Sequence, residues 1–124
     1  MSRVLIVDVV EVVAEWFTLS VDELMAPHGE RRVTWPRHLA IYLARELTGQ
    51  SQTAVGRFIG GRDHTTVWRS INLVRRELAA EPDLARAVDQ LIADIRERAA
   101  SRFCARAVLR EHIHGRVKEA TLHG

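Results

Sequence analysis

Four consecutive residues, Asp63-His64-Thr65-Thr66, bring together a carboxylate, an imidazole and two hydroxyls that also carry methyl groups. Such a set can accept from, donate to and pack against the edges of nucleic-acid bases. Asp63 beside His64 also suggests an acid–base pair. Neighbours on a helix point about 100° apart, however, and no nucleophile or second carboxylate stands close enough in sequence to complete a catalytic site. Neither catalysis nor a cofactor is expected. His112 and His114, with Cys104 or His123, raise the question of a metal. Residues two apart on a helix diverge and the spacing matches no zinc pattern, so no metal is expected either.

The tetrad needs elements to hold it. Gly60-Gly61 allows a sharp turn with positive φ, and Asp63 is suited to cap the helix whose apolar residues Val67, Ile71, Val74 and Leu78 recur at helical spacing. His64, Thr65 and Thr66 then occupy the positive end of that helix despite weak helix propensity. Upstream, Ser51 caps a short helix running to Ile59, with Val55, Phe58 and Ile59 expected to face inward. Short helix, glycine turn and longer helix make the helix-turn-helix pattern, in which the second helix enters the DNA major groove tip first.

The flanks supply the rest of the core. Val4, Leu5, Ile6, Val9, Val10, Val13, Trp16 and Phe17 recur at helical steps and favour a helix over the strand that the valines alone suggest, with Trp16 expected in the core. Ser20-Val21-Asp22-Glu23 is a capping box opening a short helix that ends near Pro27. His28 to Val33 reads as an exposed basic loop, either merely solvated or able to approach phosphates or a narrow minor groove. Thr34-Trp35-Pro36 opens a third helix with Leu39, Leu43 and Leu47 inward, Arg37 and Arg45 off that stripe, and Gly49 at its end. After Pro82 a long helix carries Leu84, Val88, Leu91 and Ile95. Its pattern continues loosely through Phe103, Ala107 and Val108 before a polar tail.

Bulk properties agree with one domain: 124 residues, 47% hydrophobic. The net charge of +2 does not by itself call for a polyanion, but its distribution does. Between Pro27 and Arg76 stand Arg31, Arg32, Arg37, Arg45, Arg57, Arg62, Arg69, Arg75 and Arg76, opposed by Glu30, Glu46 and Asp63. Lys118 is the one lysine. Guanidinium forks suit phosphates and guanine edges, although a coding bias toward Arg explains the preference equally well. Cys104 is alone, so no internal disulfide can form. Asp8 and Glu11 interrupt the apolar start, no run reaches membrane-spanning length, and a cytoplasmic, nucleoid-associated protein without a membrane partner is expected.

Gly60 to Val67, Gly-Gly-Arg-Asp-His-Thr-Thr-Val, resembles the signature of the C-terminal DNA-binding domain of the bacterial replication initiator DnaA. The likeness extends from about Val9 to Ile95 and includes Pro36-Arg37 and Ala44-Arg45-Glu46-Leu47-Thr48. It implies an all-α domain of the TrpR/DnaA C-terminal kind, placed over residues 1–99, and the loosely continuing pattern beyond it is expected to form a helical extension and frayed tail over 100–124. It also implies recognition of double-stranded DNA at a short asymmetric site, the DnaA box. By the same resemblance Asp63, His64 and Thr65 read bases, and Thr66 and Arg45 hold phosphates. Arg31, Arg32, Arg37, Ser51, Arg62 and Arg69 complete the expected backbone or minor-groove contacts. The chain departs from the family at Gly29, where an arginine usually enters the minor groove, leaving Arg31 or Arg32 to substitute from a shifted position. Trp35, His38 and Trp68 are further departures. The phosphate loop of the initiator's ATPase module, Gly-x-x-x-x-Gly-Lys-[Ser/Thr], does not precede Lys118. The expectation is a stand-alone DNA-binding regulator of replication or transcription. The alternative is an adaptor that binds a replication initiator or its regulator, and the extension offers a surface for a homodimer.

Overall fold

The computed structural model describes residues 3–27 and 30–123, with side chains described to Ala105. Six helices follow in order: α1 Ile6–Trp16, α2 Val21–Met25, α3 Arg31–Thr48, α4 Gln52–Phe58, α5 His64–Ala80 and α6 Pro82–His123. The all-α expectation holds.

The valine-rich α1 is helical because it buries Val9, Val10, Val12, Val13 and Ala14 against α3 and α6. Burial of so many branched side chains outweighs their modest preference for strands. Asp8 closes the start of α1 by accepting from the Leu5 N–H at 2.9 Å. The box before α2 forms as read: Glu23 N–H donates to Ser20 Oγ at 3.0 Å and Ser20 N–H to Glu23 Oε1 at 3.1 Å.

Helix α3 begins earlier than its proline suggests. Arg31, Arg32 and Val33 are helical, not loop, because Glu30 occupies the cap position and its carbonyl accepts from Val33 N–H at 2.9 Å. Arg32 adds ion pairs to Glu30 and to Glu23 on α2. Pro36 therefore sits inside the helix and forfeits only the bond to the carbonyl of exposed Arg32. His28 and Gly29, on which the minor-groove expectation turned, lie outside the described residues. At the far end Gly49 takes the left-handed conformation at φ 70° and stops α3.

The core gathers Leu24, Leu39, Ile41, Leu43, Val55, Ile59, Val67, Ile71, Val74, Val88, Leu91 and Ile95 between α1, α3, α5 and α6. Two expected core aromatics are outside it. Phe58 is 40% exposed and Trp16 41%, its indole N–H donating to Asp94 Oδ2 at 2.8 Å. Packing of α6 on α1 continues past Ala99. Asp8, 1% exposed, accepts from Arg102 Nε at 2.9 Å and Nη2 at 2.6 Å, and Arg98 bridges Glu11 at 2.9 Å and Glu15 at 2.5 Å. Burial works against ionising Asp8. The Arg102 fork, the Leu5 N–H and the charges of Arg102 and Arg98 together outweigh it and hold the carboxyl below its ordinary value. The backbone of α6 is helical to His123, while the side chains of Ala107, Val108, His112, His114 and His123 and the expected fraying lie outside what is described. Among the described residues no helix is long and apolar enough to cross a membrane.

Candidate nucleic-acid interface

Two glycines shape the unit formed by α4, the turn and α5. Gly56 is buried in α4 where the turn folds back on it: the Arg62 N–H donates to the Gly56 carbonyl at 2.7 Å, and a Cβ there would collide with the Arg62 carbonyl oxygen. Gly60, at φ 76°, lets the chain reverse beneath the Arg62 guanidinium, a place with no room for a side chain.

Asp63 caps α5, its Oδ1 accepting from Thr66 N–H at 2.8 Å. The hydrogen bonds from the Thr66 backbone and side chain hold the carboxyl below its ordinary value, so it is a carboxylate. Behind this tip Val67, Ser70, Ile71 and Val74 face the core. His64, Thr65, Thr66, Trp68 and Arg69 are exposed. The chemistry of the tetrad is thus turned outward at the positive end of a 17-residue helix.

The arginines divide into two groups. Arg31, Arg57 and Arg69 are exposed and make no ion pair among the described residues. Arg45 is half-buried and gives one N–H to the Gln50 carbonyl at 2.8 Å across the end of α3. Arg37, by contrast, is 7% exposed, and its guanidinium donates to the carbonyls of Leu24 at 2.9 Å and Glu23 at 3.1 Å. Arg62 is half-buried and donates to Ile59 at 2.7 Å and Ala26 at 3.1 Å. Burial pushes both guanidinium pKa values down, Arg62 further by the charge of Arg37. These two were expected at the DNA backbone. In the structure both are internal donors that tie the end of α2 to α3 and to the turn. A signal for this existed: α2 ends at Ala26 without a glycine or a basic residue, so its last carbonyls needed donors from elsewhere.

His38 joins α3 to α5 through Nδ1 and Ser70 Oγ, 2.7 Å apart. Burial, then the neighbouring Arg37 and Arg62, push its pKa down, so the ring is neutral near pH 7. Ser51 caps α4, its Oγ accepting from Ala54 N–H at 3.1 Å, and it remains exposed. Arg57 and Arg76, both exposed and without an ion pair among the described residues, belong to the basic middle of the sequence but are missing from the contacts expected above. Among the described residues no three potential metal ligands converge.

A family model for the bacterial DnaA protein helix-turn-helix matches residues 6–74, which span α1 to α5 and include the whole turn. The chromosomal replication initiator protein DnaA of Lachnoclostridium phytofermentans is 38% identical over 87 residues, 70% of this chain and 19% of that protein. Its namesake in Symbiobacterium thermophilum is 37% identical over 95 residues, covering 77% and 21%. That of Treponema denticola is 34% identical over 85 residues, covering 68% and 18%. The chain thus spans about a fifth of the length of these curated relatives. With the signature, the fold and the matched region in agreement, the chain belongs to the bacterial DnaA helix-turn-helix family.

Proposed function

We propose that this chain is a sequence-specific double-stranded DNA-binding protein that acts at DnaA-box-like sites in replication initiation or transcription, without ATPase activity of its own. The observation that carries the reading is the α5 tip: a capped, ionised Asp63 followed by exposed His64, Thr65 and Thr66 after the glycine turn. Asp63 accepts from a cytosine amino group through its second oxygen, His64 bonds a base edge and Thr65 offers its methyl to thymine. Thr66 and Ser51 bond phosphates, and Arg31, Arg32, Arg45, Arg57 and Arg69 neutralise them or enter the minor groove. With about five phosphates neutralised, log affinity falls with log salt at a slope near −4.5.

The test is fluorescence anisotropy of the full chain against a DnaA-box duplex and a scrambled duplex at about 0.15 M salt. Tight binding confined to the box is expected, and equal affinity for both duplexes would sink the sequence-reading role.

A second reading rests on one observation. Phe103 is 62% exposed on α6, beyond the region matched by the family model. A replication initiator or its regulator docking there would make the chain an adaptor, and a second copy docking there would make it a homodimer. Sedimentation of the wild type and of Phe103→Ser, each alone and with a full-length DnaA, distinguishes it: an unchanged monomer in every case removes this reading.

A further inference from the structure

Two exposed tryptophans differ in what holds them. The Trp16 indole N–H is bonded to Asp94, whereas Trp68, 57% exposed, has no partner for its N–H among the described residues. Trp68 lies three residues from Thr65 and one turn from His64, on the flank of α5 that continues from the tip. It walls a groove of about 380 Å³ together with Arg45 and Glu46 from the end of α3, Gln52 from the start of α4, and Ile71 and Arg75 from α5.

The charges in this groove narrow what it takes. Arg75 and Glu46 pair at 3.0 Å and cancel each other. Arg45 has committed one N–H of its fork, so the groove keeps one net positive charge, an indole face and an indole donor. An apolar plate beside a donor and a cation matches the alternation of deoxyribose and phosphate along a DNA strand. We propose that Trp68 is a positioning residue for the duplex: its ring rests on a deoxyribose flanking the site read by α5, and its N–H donates to the adjoining phosphate beside Arg45. This rests on the DNA-binding reading and adds to it a contact that carries no sequence information. Trp68 then sets where the strand lies, and the tetrad sets which bases are accepted.

The test uses the full chain labelled with 5-fluorotryptophan, whose three tryptophans give three fluorine resonances, with Trp68→Leu identifying one of them. Adding a DnaA-box duplex is expected to shift the Trp68 resonance and leave those of Trp16 and Trp35 in place. In anisotropy, Trp68→Ala is expected to weaken the box and the scrambled duplex alike, by about three- to tenfold, a single hydrogen bond's worth, with thermal melting unchanged. Trp68→Phe, which keeps a ring without the N–H, should recover part of the loss. Binding with the Trp68 resonance unmoved, or unaltered affinity in Trp68→Ala, overturns the proposal and leaves the DNA-binding reading standing. A loss confined to the box would make Trp68 a base reader and overturn the backbone role. Failure of every duplex to bind overturns both.

Discussion

The seam between α1 and α6 and the outer face of α4 and α5 are built from the same residue types and use them in opposite ways. In the seam Asp8 faces Arg102, Glu11 and Glu15 face Arg98, and the Trp16 indole donates to Asp94. On the outer face Arg57, Arg69, His64, Thr65 and the Trp68 indole point to solvent with no ion pair among the described residues. Paired charges in a half-buried seam fix how two helices sit, since each is desolvated only where its counter-charge waits. Unpaired donors on a helix tip have no such structural return and remain available to a partner. An arginine in this chain therefore takes its role from what the fold leaves around it, and neighbours in sequence such as Arg62, bonded inward to the Ile59 and Ala26 carbonyls, and Asp63, exposed at the α5 tip, fall on different sides of that division.

Arg102 carries the largest expected effect in the seam. Arg102→Met leaves the Asp8 carboxylate, 1% exposed, without its counter-charge and is expected to lower unfolding stability by about 3 kcal/mol. Urea denaturation checks this, and the double variant Asp8→Leu with Arg102→Met should recover most of the loss because no buried charge is then left without its partner. A double variant as unstable as the single one would mean that packing, not pairing, holds α6 to α1. Arg37→Met comes next, at about 1–3 kcal/mol of stability, since it strips donors from two carbonyls at the end of α2. Its salt slope on DNA should match the wild type. A slope shallower by about 0.9 would return Arg37 to the phosphate backbone and erase the division between the two groups of arginines.

On the other side, His64→Ala is expected to leave melting unchanged and to weaken the DnaA-box duplex by about 1–3 kcal/mol, with little change on a scrambled duplex. Equal loss on both duplexes would place His64 with the backbone contacts.

Much of this was legible in the sequence because it rests on local rules. The Ser20 box, the Ser51 and Asp63 caps, the positive φ at Gly60 and Gly61, and the Val67-Ile71-Val74 stripe all obey chemistry within a few residues. The start of α3 was not legible, because Pro36 mimics a first-turn signal while the stabilising pairs of Arg32 reach across to α2. Trp16 and Phe58 misled for a similar reason: aromatic residues at core spacing can lie at the rim, where the indole N–H finds a partner 78 residues away. The fates of Arg37 and Arg62 depend on the carbonyls of α2, a long-range need that periodicity does not encode. Asp8, read only as an interruption of the apolar start, proved to be the buried anchor for Arg102.

The smallest effect tests the boundary between the two regions, at His38. Its folded-state pKa is depressed, first by burial and then by Arg37 and Arg62, whereas the unfolded ring titrates near its ordinary value of 6.5. As pH falls below that value the unfolded chain takes up a proton that the folded chain resists, so stability is present in full above it and declines as the pH drops. Glutamine cannot titrate, and His38→Gln should flatten this part of the profile while keeping a polar partner for Ser70 Oγ. Urea midpoints of the two proteins at about pH 7.5 and 5.5 isolate the effect, because carboxylates with ordinary pKa values near 4 stay largely ionised across that window and the other histidines cancel in the difference. Equal losses in the two proteins would show that the folded state accepts the protonated ring as readily as the unfolded one, and a steeper loss in the variant would show that it favours it. Either outcome would remove His38 from the buried contacts between α3 and α5.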